Sequence, residues 1–193
     1  MGNTINSIDV LNGVASGFTT IASFALSICL FILQNYEVGI ICLCLSFASL
    51  AFYKYHKFPS KIFPGDSGAI TFGAAYGAIA IIGGVEVIAA IAILPAIINS
   101  FLFLSSVKKI VEHREIKNPT SHTDDWKLQT TSENHAPITL VRLLIAKKPL
   151  SEKQIGTEIF KLAIFSGILA IITSFMTVSY THLRAHETKA NLV

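Results

Sequence analysis

Charged side chains are almost absent from four stretches of the chain, which together hold one of its 15 basic and 12 acidic residues, Glu86. The stretches are residues 14–34, 38–53, 69–107 and 162–178. The apolar core of a bilayer is about 30 Å thick and needs roughly 20 helical residues to cross it. Three stretches therefore predict one membrane span each, and the longest predicts two spans that are separated at Gly83-Gly84 and Glu86.

The predicted fold class is all-α, a polytopic transmembrane helical bundle of about five spans formed by residues 1–178. Of all residues, 52% are hydrophobic and 14% are charged, whereas about a quarter of a soluble domain is charged. This balance excludes soluble, nucleic-acid-binding, fibrous and disulfide-scaffold proteins. Cys29, Cys42 and Cys44 lie in predicted spans without the spacing of a zinc or redox motif, so we predict that they only pack. The spans are predicted near residues 14–34, 38–53, 69–84, 86–107 and 158–178, with loops at 54–68 and 108–157.

Basic residues are distributed unequally between the two sides of these spans. Lys and Arg are concentrated in loops 54–68 and 108–157, whereas the turns at residues 35–37 and 83–86 contain none. The positive-inside rule places the basic loops in the cytoplasm. The sequence thus predicts a multi-pass cell-membrane protein with its polar loops on the cytoplasmic face.

A polar segment precedes the first predicted span. Asn3, Asn6, Asp9 and Asn12 recur at every third position, which on a helix would form a drifting polar stripe at the cytoplasmic mouth of that span. Two interpretations stay open: a solvated helix end with capping side chains, or one wall of a polar site.

A second polar cluster lies between the second and third spans, in the run YKYHKFPSKIFPGDSG. Pro59 and Pro64 interrupt helical structure, Gly65 allows a tight backbone, and Asp66 stands just before the apolar helix. Asp66 is either the N-cap of that helix or a carboxylate that holds Mg²⁺ against phosphate groups. Composition alone does not separate these alternatives.

Together, NTINSIDVLNG and PSKIFPGDSG resemble the polyprenyl-phosphate N-acetylhexosamine-1-phosphate transferases. This membrane family includes the dolichyl-phosphate GlcNAc-1-phosphotransferase and the phospho-N-acetylmuramoyl-pentapeptide translocase. The two motifs occur in the family's order, and the resemblance covers residues 3 to about 178. It implies that this chain is the C-terminal half of a longer enzyme and is inactive alone.

The resemblance implies transfer of a sugar-1-phosphate, such as GlcNAc-1-phosphate, from a UDP-sugar to a polyprenyl or dolichyl phosphate, with release of UMP. It implies Mg²⁺ as cofactor, the membrane, the UDP-sugar and the polyprenyl phosphate as partners, no nucleic acid, and a homodimer for the full-length enzyme. The residues it assigns are Asp66 and Asn6 for the metal, Asp66 and Lys61 for catalysis, and Asn12, Gly13, Asn3 and Asp9 for substrate binding.

The long loop 108–157 contains NHAPITLVRLLIAKK. From Pro137 onwards it predicts an amphipathic interfacial helix, with Leu140, Leu143 and Leu144 on one face and Arg142 opposite. The resemblance implies that a basic or histidine residue of this loop holds the diphosphate of the nucleotide sugar. Arg142 is the first candidate and His135 the second.

The chain departs from the family pattern at several points. His56 stands where the loop motif has asparagine, and the adjacent aspartates of an earlier helix end have no counterpart, since Asp124-Asp125 is predicted to be solvated surface. The triple-histidine motif of the muramoyl-pentapeptide branch is absent, and Asn12 replaces that branch's aspartate. These last two differences favour a GlcNAc-type enzyme with a dolichyl-like carrier.

Two other functions stay open: a muramoyl-pentapeptide translocase-like enzyme, and a non-catalytic transporter or assembly subunit whose polar helix mouths line a pathway. Transporters place ionisable groups near the membrane midplane, whereas the candidate groups here lie at helix ends, which favours an enzyme. Residues 179–193 change abruptly in composition and are predicted to be translated adapter sequence. We therefore do not expect His182 and His186 to form a zinc site.

Overall fold

The computed structural model describes residues 1–107, 118–123, 125–131 and 136–190, with side chains described up to residue 179. Most of these residues are helical, and three helices are short. The elements are α1 Gly2–Asn6, α2 Val14–Ile32, α3 Tyr36–His56, α4 Gly65–Ile82, α5 Glu86–Ala92, α6 Leu94–Val107, β1 Thr120–His122, β2 Leu128–Thr130, α7 Leu140–Leu144 and α8 Glu152–Ala190.

The all-α polytopic bundle is confirmed. Four helices are long and apolar enough to cross a membrane, namely α2, α3, α4 and residues Glu152–Ser179 of α8, and the bent pair α5 and α6 would make a fifth crossing. Several helices extend beyond the predicted spans, because hydropathy marks the apolar length and omits polar residues that continue the helix. Helix α4 thus begins at Gly65, and α8 begins at Glu152.

The span predicted over residues 86–107 consists of two helices in the structure. Helices α5 and α6 meet at Ile93 with a bend of 78°. Pro95 explains the break, because proline has no N–H to donate to the carbonyl of Ile91, and its ring clashes with that carbonyl in a regular helix. Apolar composition continues through the bend, so charge exclusion alone did not reveal it.

Helix α2 forms the centre of the bundle and packs against α3 and α8. Of its span, 67% is buried, compared with 28% of α3, 28% of α4 and 33% of α8. Small residues permit this close packing: a Cβ atom on Gly17 would lie 2.5 Å from Cζ of Phe160 on α8. The outer helices instead expose apolar side chains such as Phe47 and Phe165, as lipid-facing helices do.

The polar segment before α2 does not form the single helix on which a stripe was predicted. Helix α1 ends at Asn6, and α2 begins after Gly13, whose φ of +81° no regular helix contains. Asp9 and Asn12 therefore project from a turn. We call residues 3–13 the N-terminal segment. Its helix packs on α4, where a Cβ on Gly73 would lie 2.6 Å from the Met1 carbonyl oxygen.

The predicted interfacial helix is only one turn long, Leu140–Leu144. Leu140 is buried but Leu143 is 50% exposed, so the predicted leucines do not share one apolar face. A two-stranded antiparallel hairpin, β1–β2, precedes it with three residue pairs. Helix α8 continues through the predicted tail boundary to Ala190, and the side chains of His182 and His186 lie outside those the structure describes.

Candidate functional site

The N-terminal segment and the loop that carries Asp66 lie at the same end of the bundle. We call residues 57–66, between the end of α3 and the first turn of α4, the Asp66 loop. His56 joins the two regions: its Nε2 lies 3.7 Å from Oδ1 of Asp9, and its ring packs edge to face on Phe63, with centroids 5.3 Å apart. Two segments separated by about 50 residues in sequence therefore line one polar mouth.

Asp66 lies in the first turn of α4 and is exposed. The N-cap of α4 is Pro64, and no side chain caps this helix. Asp66 is thus not an N-cap, although its negative charge is favourable in a first helical turn. Its carboxylate is available for a ligand at the surface of the mouth.

Asp9 is the second carboxylate of the mouth, and its side chain is only 7% exposed. Burial raises the pKa of Asp9 from 3.8 to about 6, a backbone hydrogen bond at Ala15 opposes the increase, and the negative charge of Asp66 adds to it. The two carboxylates are therefore close enough to interact electrostatically.

His56 is fully buried at the end of α3. Its Nδ1 lies 2.9 Å from Oγ of Ser16, one turn into α2. Within the described residues, neither Nε2 of His56 nor Oδ1 of Asp9 has a hydrogen-bond partner, although both atoms are buried. Buried polar atoms are usually paired, so two unpartnered atoms that face each other are an unusual feature of this site.

Asn12 is held by a residue 140 positions further along the chain. Its backbone N–H donates to Oε1 of Glu152 at 2.6 Å, and its Nδ2 donates to the same oxygen at 2.5 Å. Glu152 is the first residue of α8. The amide that the family resemblance assigns to the nucleotide thus fastens the beginning of α8 to the beginning of α2.

The backbone conformation and the close packing at position 13 explain why this residue is glycine. Its φ is +81°, a conformation that glycine adopts readily, and a Cβ would lie 2.9 Å from Cε2 of Tyr53 and 3.1 Å from Cα of Lys57. The space beside Gly13 is therefore filled by α3 and the beginning of the Asp66 loop. Its assigned role next to a base is left as a prediction.

Asn99, in α6, links three parts of the mouth and is 4% exposed. Its Nδ2 donates to the carbonyl of Ser7 at 2.9 Å, and its Oδ1 accepts from the N–H of Leu140 at 2.8 Å. A buried asparagine with both ends engaged fixes the orientation of its neighbours. Helix α6, which follows the bend at Ile93, is thereby attached to the N-terminal segment and to α7.

A cavity of about 780 Å³ opens beside the N-terminal segment. Its walls come from that segment, the Asp66 loop, the β1–β2 hairpin and the beginning of α8. The volume is in the range of small-molecule sites. Residues that line it include Ser7, Leu11, Phe58, His122, Trp126 and Glu152.

The remaining predicted site residues are spread more widely. Lys61 and Asn3 are exposed, whereas Nη1 of Arg142 donates to the carbonyls of Ala136 and Pro137. Arg142 therefore supports its own loop. His135, and Asp124 of the Asp124-Asp125 pair, lie outside the described residues.

Sequence inspection overlooked Glu152, Ser16 and Asn99. Glu152 lay just outside a predicted span, and Ser16 resembles any small residue of an apolar helix. Asn99 did carry a signal, because a polar amide inside an apolar stretch usually has a partner. Among the described residues no three His, Cys, Asp or Glu side chains cluster as a metal site, so a cation here would rely on fewer protein ligands.

Comparisons with known proteins match the part of the chain that carries both sides of the mouth. The profile of glycosyl transferase family 4 matches residues 1–84, which include the N-terminal segment and the Asp66 loop. A Methanocaldococcus jannaschii protein named as a glycosyltransferase is 30% identical over 175 residues, or 90% of this chain and 56% of the relative.

Two relatives are named phospho-N-acetylmuramoyl-pentapeptide-transferase. That of Prochlorococcus marinus is 39% identical over 85 residues, covering 42% of this chain and 24% of the relative. That of Clostridium kluyveri is 33% identical over 102 residues, covering 48% and 32%. The chain thus spans about half the length of the first curated relative and less of the others. Together with the membrane helices and the two motifs at one polar mouth, these matches support the assignment of this chain to glycosyl transferase family 4, the polyprenyl-phosphate hexosamine-1-phosphate transferases.

Proposed function

We propose that this chain forms part of an enzyme that transfers a sugar-1-phosphate from a UDP-sugar to a polyprenyl phosphate, releasing UMP. The proposal rests on the exposed carboxylate of Asp66, in the first turn of α4, beside the buried carboxylate of Asp9. Both lie at one end of a bundle of membrane helices. A water-soluble nucleotide sugar and a lipid phosphate can meet only at such an end.

The chemistry is a displacement at phosphorus. An oxygen of the lipid phosphate forms a bond to the phosphorus atom that carries the sugar, and the bond from that phosphorus to the oxygen shared with UMP breaks. The pair of electrons leaves with UMP, and a lipid-linked pyrophosphate sugar results. Such transfers depend mainly on positioning and on neutralising negative charge.

The residues of the mouth fit Mg²⁺. This ion prefers oxygen ligands and is commonly held by one or two carboxylates together with substrate phosphates. Asp66 offers an exposed carboxylate, and Asn6, at the end of α1, offers an amide oxygen. When bound there, Mg²⁺ would spread the charge of the phosphoryl group. Lys61 would add a positive charge from the same loop.

The cavity of about 780 Å³ is where we place the nucleotide sugar. Glu152 lies between Asn12 and the cavity, because it lines the cavity while it accepts two hydrogen bonds from Asn12. Recognition of uridine by Asn12 therefore requires the Glu152 carboxylate to move. Asn3, Asp9 and Gly13 belong to the same segment but are not among the residues that line the cavity, so their contribution to substrate binding stays a prediction.

Substrate choice is a finer proposal. Asn12 in place of the aspartate of the muramoyl-pentapeptide branch favours UDP-GlcNAc and a dolichyl-like carrier. The names of the bacterial relatives favour a muramoyl-pentapeptide donor as the second candidate. Assays with both donors and with dolichyl or undecaprenyl phosphate separate them.

The experiment compares three purified samples with labelled UDP-GlcNAc, a polyprenyl phosphate and Mg²⁺. The first is this chain alone, which we expect to insert in membranes without releasing UMP. The second is a chimera in which this chain replaces the matching part of the Methanocaldococcus jannaschii relative, and the third is the relative itself. UMP release by the chimera supports the proposal, whereas a folded chimera that releases none with either donor contradicts it.

We further propose that the mouth faces the cytoplasm, on the basis of the basic loops. In a cysteine-free background, Ile62→Cys in the Asp66 loop should react with an impermeant maleimide only after cells are opened. Val87→Cys, which is 72% exposed near the opposite turn, should react in intact cells. The reverse pattern would contradict the proposed orientation.

A further inference from the structure

The buried pair of His56 and Asp9 is the least satisfied polar contact of the mouth. The distance of 3.7 Å between Nε2 and Oδ1 is longer than a normal hydrogen bond. Both side chains are more than nine-tenths buried. An unpaired buried carboxylate oxygen costs free energy, so there should be a reason why His56 is directed at it.

The other side of the imidazole ring lies against Ser16. Oγ of Ser16 is 2.9 Å from Nδ1 of His56, a contact in which either atom can be the donor, and 3.5 Å from the Gly13 carbonyl, to which it can also donate. When Ser16 donates to Nδ1, the ring proton resides on Nε2 and points at Asp9.

The opposite tautomer would direct the lone pair of Nε2 at a carboxylate oxygen. Two acceptors facing each other in a buried site repel, and no described donor lies between them. Two aromatic rings further restrict the imidazole: Phe52 has its centroid 5.7 Å away and Phe63 5.3 Å away. A shift of less than 1 Å would complete the bond from Nε2 to Asp9.

We infer that His56 is a positioning residue: Ser16 fixes its ring so that Nε2–H holds the Asp9 carboxylate in place, while Phe63 couples the same ring to the Asp66 loop. Phe63 precedes Asp66 by three residues. One imidazole thereby connects both acidic sides of the mouth. It supplies an acceptor on one edge and a donor on the other, which are the two functions that the asparagine of the family motif would combine.

This inference deepens the proposed function, and its importance for transfer rests on that proposal. The arrangement itself is testable without turnover, in the 193-residue chain reconstituted in lipid bilayers with ¹⁵N-histidine and ¹³C-aspartate. Solid-state NMR then reports the tautomer of His56 and the dipolar coupling between its Nε2 and the carboxyl carbon of Asp9. The His56 signals are identified by their loss in H56N, or in H56Q if H56N does not fold.

We expect a protonated Nε2, an unprotonated Nδ1 and a measurable coupling to Asp9. S16A should mix the two tautomers and weaken the coupling. S23A is the matched control, since Ser23 is also buried in α2 but donates to the Thr19 carbonyl, and it should change neither signal. A proton on Nδ1 in the unmodified chain, or an unchanged tautomer and coupling in S16A, would overturn the inference.

A second measurement uses the active chimera. H56N, which restores an amide donor, should retain activity within a few-fold, whereas H56L should lower kcat about 10-fold or more with a smaller change in KM. Equal kcat values for H56N and H56L would limit His56 to packing and overturn its positioning role. If the unmodified chimera releases no UMP, the proposed function fails, and the NMR result still decides the arrangement.

Discussion

The N-terminal segment and the Asp66 loop lie at the same end of the bundle, yet their side chains are engaged to different degrees. In the N-terminal segment, Asn12 is bound by Glu152 and Asp9 is buried against His56. In the Asp66 loop, Lys61, Phe63 and Asp66 are all exposed. The N-terminal segment is thus a wall of the mouth that is held by contacts within the bundle, whereas the Asp66 loop is a wall whose side chains face solvent.

This difference separates two demands on a polar site. A wall made of internal contacts keeps its shape without a ligand, and a change in it is felt first as lost stability. A wall of exposed groups contributes little to stability and gains partners only when a ligand arrives. The comparison therefore predicts that substitutions in the two regions affect different measurements.

The largest effect is expected from Asp66→Asn in the chimera. Because the change removes the charge that would hold the cation at the transferring phosphate, UMP release should fall roughly 10²–10³-fold. The free energy of unfolding should change by less than about 0.5 kcal/mol, since Asp66 is exposed. Asp125→Asn is the control, because its carboxylate is 83% exposed in the hairpin. Equal turnover of the two variants would remove Asp66 from the chemistry.

Gly13→Ala and Gly65→Ala test the comparison with one chemical change in each region. Both glycines have a positive φ, +81° and +62°, but a Cβ on Gly13 meets Tyr53, whereas one on Gly65 meets nothing within 4 Å. Backbone strain of about 1 kcal/mol applies to both, and overpacking adds roughly 1–3 kcal/mol at Gly13. Unfolding in detergent should show that Gly13→Ala is clearly less stable than Gly65→Ala. Equal losses of stability in the two variants would contradict the closer packing of the N-terminal segment.

Glu152→Ala should destabilise the chain by about 1.5–3 kcal/mol, the range for hydrogen bonds to a charged group. It cuts both bonds that fasten α8 to Asn12. Glu158→Ala, on the same helix, removes an exposed pair with Lys161 at 2.7 Å and should cost at most about 0.5 kcal/mol. Thermal unfolding followed by circular dichroism compares the two, and a smaller loss for Glu152→Ala would contradict the role of this contact.

Stability should also depend on pH. The pKa of Asp9 is about 6 in the folded chain against 3.8 in the unfolded one, so the folded state binds more protons between these values. Its stability contribution is therefore present below about pH 4 and is lost as the pH rises through about 6. Asp66 and His56 are the titratable groups that face Asp9.

Unfolding measured between about pH 4 and 6.5 should show stability falling with pH, and Asp9→Asn should reduce this slope. Because Asn cannot titrate, whatever slope is left belongs to other groups. A steeper fall in Asp9→Asn would mean that the buried carboxylate is stabilised as an anion.

The bundle could be predicted because lipid excludes charge, and this exclusion is visible along the chain without knowledge of contacts. The break at Pro95 lies in an apolar stretch, where hydropathy has no contrast. The end of α1 at Asn6 could not be predicted from spacing, since a three-residue repeat of Asn and Asp is compatible with both helix and turn.

Some residues of the candidate site could likewise be predicted from the sequence and others could not. Asp66 and Asp9 were found because short motifs carry them in a fixed order. Glu152 and Ser16 were not found, because their partners, Asn12 and His56, lie 140 and 40 residues away in sequence. Local patterns hold little information about such contacts, which arise only when α2, α3 and α8 pack together.

The bend at Ile93 has a consequence for the surrounding lipid. Asn99 already contacts the N-terminal segment, so residues 86–98 alone separate the two ends of the bundle on that side, and they provide at most about 20 Å of helix measured along the bent path. A bilayer core is about 30 Å thick, which leaves a hydrophobic mismatch beside α5. We expect the bilayer to thin there, or headgroups and water to approach Glu86. The length of the lipid acyl chains in the host membrane should therefore affect the side of the protein that α5 forms more than the other sides.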